Sequence, residues 1–111
     1  MEENEIGKEV VDAAVAVHTV LGPGLLESVY EATLAAELEM RGLTVRRQVP
    51  VPIVYGEVIF DEGFRADIVT EDKVVLELKA LEKLDRVHQR QLMTYLKLMD
   101  LRLGYLLNFG A

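Results

Sequence analysis

Phe64-Arg65-Ala66-Asp67-Ile68-Val69-Thr70-Glu71-Asp72-Lys73-Val74-Val75-Leu76-Glu77-Leu78-Lys79 holds two apolar runs interrupted by charge. Glu71-Asp72 separates two apolar runs, each short enough for a strand. Side chains alternate along a strand, so Val74, Leu76 and Leu78 share one face while Val75, Glu77 and Lys79 share the other. Two charges on a strand that otherwise reads as interior need compensation, because burying an unpaired charge is costly. A strand end where Glu77 and Lys79 pair with each other would supply it. A second solution involves Asp67 on the preceding strand. If Asp67 and Glu77 lie on one face of neighbouring strands, their repulsion at ~4 Å and an effective dielectric near 20 is about 4 kcal/mol. A divalent cation removes that penalty, and oxygen-only ligands suit Mg²⁺ or Mn²⁺. Register decides between the two. A two-residue turn at Glu71-Asp72 sets Asp67 opposite Leu76, whereas a three-residue connection (Glu71 to Lys73) or a bulge sets it opposite Glu77. One of the latter two is expected.

Upstream, apolar residues recur at Ile6, Val10, Ala13, Ala14, Val17 and Leu21, the spacing of a helix over Ile6–Leu21. Gly22-Pro23-Gly24 ends it, and a second helix runs from about Leu25 to Arg41 with Gly42 as its stop. Thr44 to Tyr55 reads as extended chain, where Pro50 and Pro52 are tolerated only on an edge or at a bulge. Turns are expected at Gly56-Glu57 and Asp61-Glu62-Gly63, on either side of Val58-Ile59-Phe60. Downstream, a third helix spans about Asp85 to Met99 with Asp85 as N-cap, and Leu103 to Phe109 is a final strand. The order is helix, helix, three or four antiparallel strands, helix, strand: an α/β fold with a central sheet.

The chain has 111 residues, 50% hydrophobic and 28% charged. That length predicts one domain over residues 1–111 with one core. Cysteine is absent, which excludes disulfides, thiolate zinc sites, iron–sulfur clusters and a cysteine nucleophile. The acidic start Met1-Glu2-Glu3-Asn4-Glu5 is unlike a secretory signal, and the longest purely apolar run, Ala13 to Val17, is too short to cross a bilayer. The expectation is a soluble cytoplasmic protein that does not engage membranes. A net charge of −7 argues against a uniformly basic, nucleic-acid-coating surface. The charge is uneven: residues 1–39 carry nine acids and one base, whereas Arg41, Arg46 and Arg47, and then Lys79, Lys83, Arg86 and Arg90, cluster in the remainder. Such clusters are either solvated faces or local basic patches.

Four further polar positions lie on the helices. Glu27 borders the apolar stripe of the second helix, and its place near the helix N-terminus is also favoured by the helix dipole. In the third helix Leu84, Val87, His88, Gln91, Leu92, Tyr95, Leu96 and Met99 form one stripe, whose polar members are His88, Gln91 and Tyr95. A buried Gln91 amide needs partners: a strand carboxylate, a substrate phosphate or neighbouring backbone would each serve. A lone histidine without a second ligand reads as structural.

Asp67, nine intervening residues and then Glu77-Leu78-Lys79 resemble the D-…-(D/E)-x-K signature of the PD-(D/E)XK nuclease superfamily. Leu21-Gly22-Pro23-Gly24-Leu25-Leu26-Glu27-Ser28-Val29-Tyr30 resembles the hallmark of the GxxExxY family through Gly24, Glu27 and Tyr30. His88 to Leu96 and Leu106-Leu107-Asn108-Phe109-Gly110 are similar to that family as well. Ala66 stands where the superfamily name has proline. The resemblance implies a restriction-endonuclease-like core, a central mixed sheet flanked by helices in the order α-α-β-β-β-α-β, and a metal-dependent nuclease acting on DNA or RNA. It implies that Asp67, Glu77 and the Leu78 carbonyl hold Mg²⁺ or Mn²⁺. Lys79 would orient or activate the attacking water, with Glu27 the helix-borne acid and Gln91 and Tyr95 the assisting helix positions. Tyr30, Arg86, Arg90 and Tyr95 would meet the substrate, and Arg46, Arg47 and Lys83 could join Arg86 and Arg90 on its backbone. A domain this small has difficulty surrounding a duplex, which leaves room for a homodimer. The alternative is a non-catalytic module on the same fold that binds nucleic acid or protein.

Overall fold

In the computed structural model, which describes residues 1–111 with the side chains of residues 61 and 62 excepted, the chain runs α1 (Glu3–Leu21), α2 (Glu27–Met40), β1 (Val45–Tyr55), β2 (Val58–Thr70), β3 (Val74–Lys79), α3 (Arg86–Met99) and β4 (Leu103–Asn108). The strands form one mixed sheet in the order β1-β2-β3-β4. Neighbours are antiparallel except β3 and β4, which run parallel across α3. This is the α-α-β-β-β-α-β arrangement expected from the sequence.

Helical spacing aims Ile6, Val10, Ala13 and Val17 of α1, and Tyr30, Leu34 and Leu38 of α2, at one face of the sheet, where they meet Ile68, Val74, Leu76 and Leu78. Leu92 and Tyr95 of α3 cover the other face over Val49, Val51, Ala66, Val69 and Val75. Helices on both faces explain why β3 is apolar on both of its sides apart from Glu77 and Lys79. Of the expected α3 stripe, Leu92 and Tyr95 are buried. Val87 instead is 61% exposed, because the first turn of α3 faces an open groove.

The turn expected at Asp61-Glu62-Gly63 does not form; β2 runs through it. Val51 pairs with Phe64 and Ile53 with Phe60, so Pro52 alone opposes three residues of β2. Pro52 has no N–H to continue the ladder, and the surplus residues are absorbed as a bulge. Both prolines lie on the edge strand β1, where they also deter further strand pairing.

Two devices fix the ends of α3 and β3. The Asp85 carboxylate accepts from the Arg86 N–H at 2.6 Å, and His88 Nδ1 accepts from the Asp85 N–H at 2.9 Å. His88 is thus a capping residue. Asp85→Ala is expected to lower stability by about 1 kcal/mol, read as a fall of a few degrees in Tm. After β4, the Asn108 side chain accepts from the Leu81 N–H at 3.0 Å and donates to the Leu81 carbonyl at 2.9 Å, while the Phe109 N–H donates to the Lys79 carbonyl at 2.8 Å. A Cβ at Gly110 would collide with the Leu81 backbone. This clasp holds the chain as it leaves Lys79. Among the described residues no helix is long and apolar enough to cross a membrane.

Candidate active site

The β2–β3 connection has three residues. Glu71 and Asp72 adopt φ of +55° and +53°, the Lys73 N–H closes the turn on the Thr70 carbonyl at 3.1 Å, and Thr70 pairs with Val74 so that Lys73 stands outside the ladder. The ladder proceeds through Val69 opposite Val75 to Ile68 opposite Leu76. Asp67 and Glu77 are the next facing pair, as the three-residue connection requires. There side chains take over from backbone pairing. The Glu77 carboxylate accepts from the Asp67 N–H at 3.0 Å, and the Asp67 carboxylate accepts from the Leu78 N–H at 2.8 Å. A strand residue directs its N–H and C=O to the same side, so the Leu78 carbonyl also faces the opening between β2 and β3.

Burial dominates the electrostatics. Glu77 is 4% exposed, and desolvation, assisted by repulsion from Asp67 and Glu27, pushes its carboxyl up to about 7. Desolvation likewise raises Asp67, with repulsion from Glu31 and Glu27 in the same direction and the Leu78 N–H working against both. Lys79 favours the ionised form of each carboxylate from nearby. The ion pairs of the described residues join Arg41, Arg46, Arg47 and Arg102 to their acids, which leaves Lys79 outside them. The strand-end pairing of Glu77 with Lys79 is therefore not what compensates these charges.

The acid facing the sheet from α2 is Glu31. It is buried, pairs with Arg47 Nη2 at 2.9 Å and accepts from Gln48 Nε2 at 2.6 Å; the same nitrogen lies 3.5 Å from Asp67 Oδ1. Gln48 sits mid-strand with φ +51°, a region a non-glycine residue seldom occupies. At this point the β1–β2 ribbon changes sides: Val45 and Ile68 pack toward α1 and α2, Val49 and Ala66 toward α3. Sequence reasoning missed Glu31 and Gln48. The signal for Glu31 was an acid beside Tyr30 at helical spacing from Ala35 and Leu38; nothing in the sequence marks the backbone of Gln48.

Glu27 stands exposed one turn before Glu31, in the first turn of α2. It reaches Asp67 and Glu77 as a charge. Among the described residues, however, no three His, Cys, Asp or Glu side chains group closely enough to hold a metal ion. The convergence is of two acids, with Glu27 at the rim because the helix begins there. Tyr95 is buried under the pair; desolvation and the repulsion of Glu77 and Asp67 push its hydroxyl up to about 12. Its ring meets Phe64 with centroids 5.2 Å apart. Phe64, Lys79, Arg90 and Gln91 line one groove, so Gln91 and Arg90 stand where a substrate reaching Lys79 would pass. Arg86 is exposed on a neighbouring concavity shared with Arg90. Lys83 is exposed on the β3–α3 connection.

Two expected substrate contacts, Tyr30 and Tyr95, are buried instead. Tyr30 is fully buried, its ring stacked on Phe109 at 4.7 Å, and its hydroxyl donates to the Gly22 carbonyl while accepting from the Leu25 N–H at 3.1 Å. It pins the α1–α2 loop and has no surface to offer a substrate. Arg46 pairs with Asp72 at 2.9 Å and Arg47 with Glu31 at 2.9 Å, both arginines remaining exposed.

The donor set fits a hard divalent cation: two desolvated carboxylates that repel each other, each with an oxygen left over from its backbone bond, and a carbonyl turned to the same opening. A family model described as the PD-(D/E)XK nuclease superfamily matches residues 4–111. No curated protein and no solved structure matches the chain.

Proposed function

Because the chain belongs to the PD-(D/E)XK nuclease superfamily, whose nucleases typically use divalent metals, we propose that it hydrolyses nucleic-acid phosphodiester bonds with Mg²⁺ or Mn²⁺. Within the superfamily we assign it to the GxxExxY family on Gly24, Glu27 and Tyr30. The observation that carries the reading is the reciprocal locking of Asp67 and Glu77 onto each other's strand, where burial and mutual repulsion raise the Glu77 carboxyl and Lys79 acts on both acids.

Asp67, Glu77 and the Leu78 carbonyl would hold the cation, which when bound supplies charge neutralisation at the phosphoryl group. Lys79, on the same strand face as Glu77, orients the attacking water and offers an ammonium to the phosphoryl oxygens as their charge grows. Its proton-bearing nitrogen has no acid tying it down among the ion pairs of the described residues. Glu31 holds the Gln48 amide close to Asp67 and so restrains that carboxylate from behind. Glu27 adds negative potential at the rim, which strengthens the hold on a cation.

The test is cleavage of labelled DNA and RNA strands with Mg²⁺ or Mn²⁺ and with chelator. Cleavage is expected only with metal, and Lys79→Ala, whose side chain is not part of the core, is expected to fold normally and lose ~10²–10³-fold in rate. Metal-dependent cleavage that persists at the original rate in Lys79→Ala would reject this site; absence of cleavage with retained nucleic-acid binding would favour a non-catalytic module. Addition of either metal at about 100 times its Kd is also expected to raise stability by roughly 2.7 kcal/mol.

A further inference from the structure

The groove beside Lys79 has a character the hydrolytic reading does not require. It is a cavity of about 510 Å³, within the roughly 300–1,000 Å³ of small-ligand pockets. Two of its walls are apolar and wet: Phe64 is 40% exposed and Val87 more so. The polar lining is cationic and amide, from Lys79, Arg90 and Gln91, with the cap residue His88 also present. Both cations lie outside the ion pairs of the described residues, in a chain whose net charge is −7. Phe64 is one ring removed from the acids, since it packs on Tyr95, whose hydroxyl feels both Glu77 and Asp67.

We propose that this groove receives one unpaired nucleotide of the substrate, its base against the Phe64 ring and the Val87 side chain and its phosphate toward Lys79 and Arg90. The proposal rests on the nuclease reading and narrows it to single-stranded or locally unpaired substrates. An exposed ring beside cations is the combination that binds single strands, because every base has a π-face to stack. A duplex keeps those faces occupied and asks instead for a broad array of phosphate contacts. Here the arginines that would extend such an array, Arg46 and Arg47, are engaged by Asp72 and Glu31.

The experiment measures fluorescence anisotropy of the full chain, in chelator, with labelled DNA and RNA strands of roughly 12 nucleotides, an abasic strand of equal length and a blunt duplex. Single strands are expected to bind more tightly than the duplex. Phe64→Ala is expected to weaken them about fivefold or more, Phe64→Trp to restore them, and the abasic strand to be indifferent to both. A loss on DNA, on RNA or on both supports the proposal and identifies the sugar that is accepted. Val87→Ala, which removes apolar contact without adding charge, is a second variant should Phe64→Ala fail to fold, and a loss in the same direction on base-bearing strands alone is expected. Unchanged binding by these variants, an equal loss on the abasic strand, or tighter binding of the duplex overturns the proposal. Failure of the nuclease reading is separable, because it shows as absent metal-dependent cleavage while the Phe64 effect on binding persists.

Discussion

Glu77→Gln should abolish metal-dependent cleavage and at the same time make the protein harder to unfold at pH 8. The carboxyl of Glu77 stands at about 7 in the folded chain against an ordinary value of 4.5, chiefly because it is buried and then because Asp67 and Glu27 repel it. Below pH 4.5 it is neutral folded and unfolded, and costs nothing. Between 4.5 and about 7 the folded chain keeps a proton that the unfolded chain has released, so raising the pH favours unfolding. Above 7 the carboxylate is charged in both states and the whole cost is present, up to about 3 kcal/mol at 1.36 kcal/mol per pH unit of displacement. An amide is neutral throughout, and its oxygen can still accept from the Asp67 N–H. Wild type minus variant should therefore show no pH-dependent gap near pH 4 and a growing deficit toward pH 8, on the order of 10 °C in Tm at most. Mg²⁺ or Mn²⁺ should shrink that deficit in the wild type and leave the variant unmoved. A variant that melts below wild type at pH 8 in chelator would show that the buried charge is compensated by something other than a bound cation.

Tyr30→Ala should cost about 3–5 kcal/mol, as removal of a fully buried aromatic does, out of a total that for a domain of this size is about 5–15 kcal/mol. The ring stacks on Phe109 at the end of β4 and the hydroxyl joins the two ends of the loop between α1 and α2. Gly24, with φ +104°, lets that loop double back so that a hydroxyl in the first turn of α2 reaches Gly22 and Leu25. Tyr30→Phe separates the two contributions. It keeps the stack, loses both hydrogen bonds and should cost roughly 1–3 kcal/mol, measured as the denaturant midpoint at unchanged m. If Tyr30→Phe leaves the midpoint where it was, the hydroxyl does not pin the loop. The G-x-x-E-x-x-Y spacing then has a mechanical meaning: the glycine and tyrosine set where α2 begins, and so where Glu27 and, a turn later, Glu31 are presented.

Much of the fold and of the site is legible in the sequence. Alternation along Val74–Lys79 puts Glu77 and Lys79 on one side, and convergence of Asp67 on Glu77 asks for a three-residue connection or a bulge, of which the first is observed. Helical spacing gives the buried face of α1, whereas for α2 it gives the helix and Tyr30 but not the buried Leu34, Ala35 and Leu38. The misreadings share a cause: local sequence does not report what a neighbouring strand will tolerate. Asp61-Glu62-Gly63 carries every mark of a turn, yet its surplus is taken up opposite Pro52. Tyr30 enters as a substrate contact only through its likeness to the GxxExxY hallmark, and nothing local shows that its ring stacks on Phe109, 79 residues further along. Gln48 gave no sign, since an unusual φ and a reversal of strand faces are properties of a pairing.

Surface hairpins are where evolution ordinarily experiments with chain length at small expense, since a residue gained or lost there disturbs little else. The extra residue at Lys73 makes this hairpin an exception. Deleting it would slide β3 past β2 by one step, invert the sidedness of one strand against the other and separate the two acids as surely as mutating one of them. Among homologues, insertions and deletions should therefore accumulate at the β1–β2 tip around Gly56 and avoid residues 71–73, a pattern that the length of that loop alone can reveal.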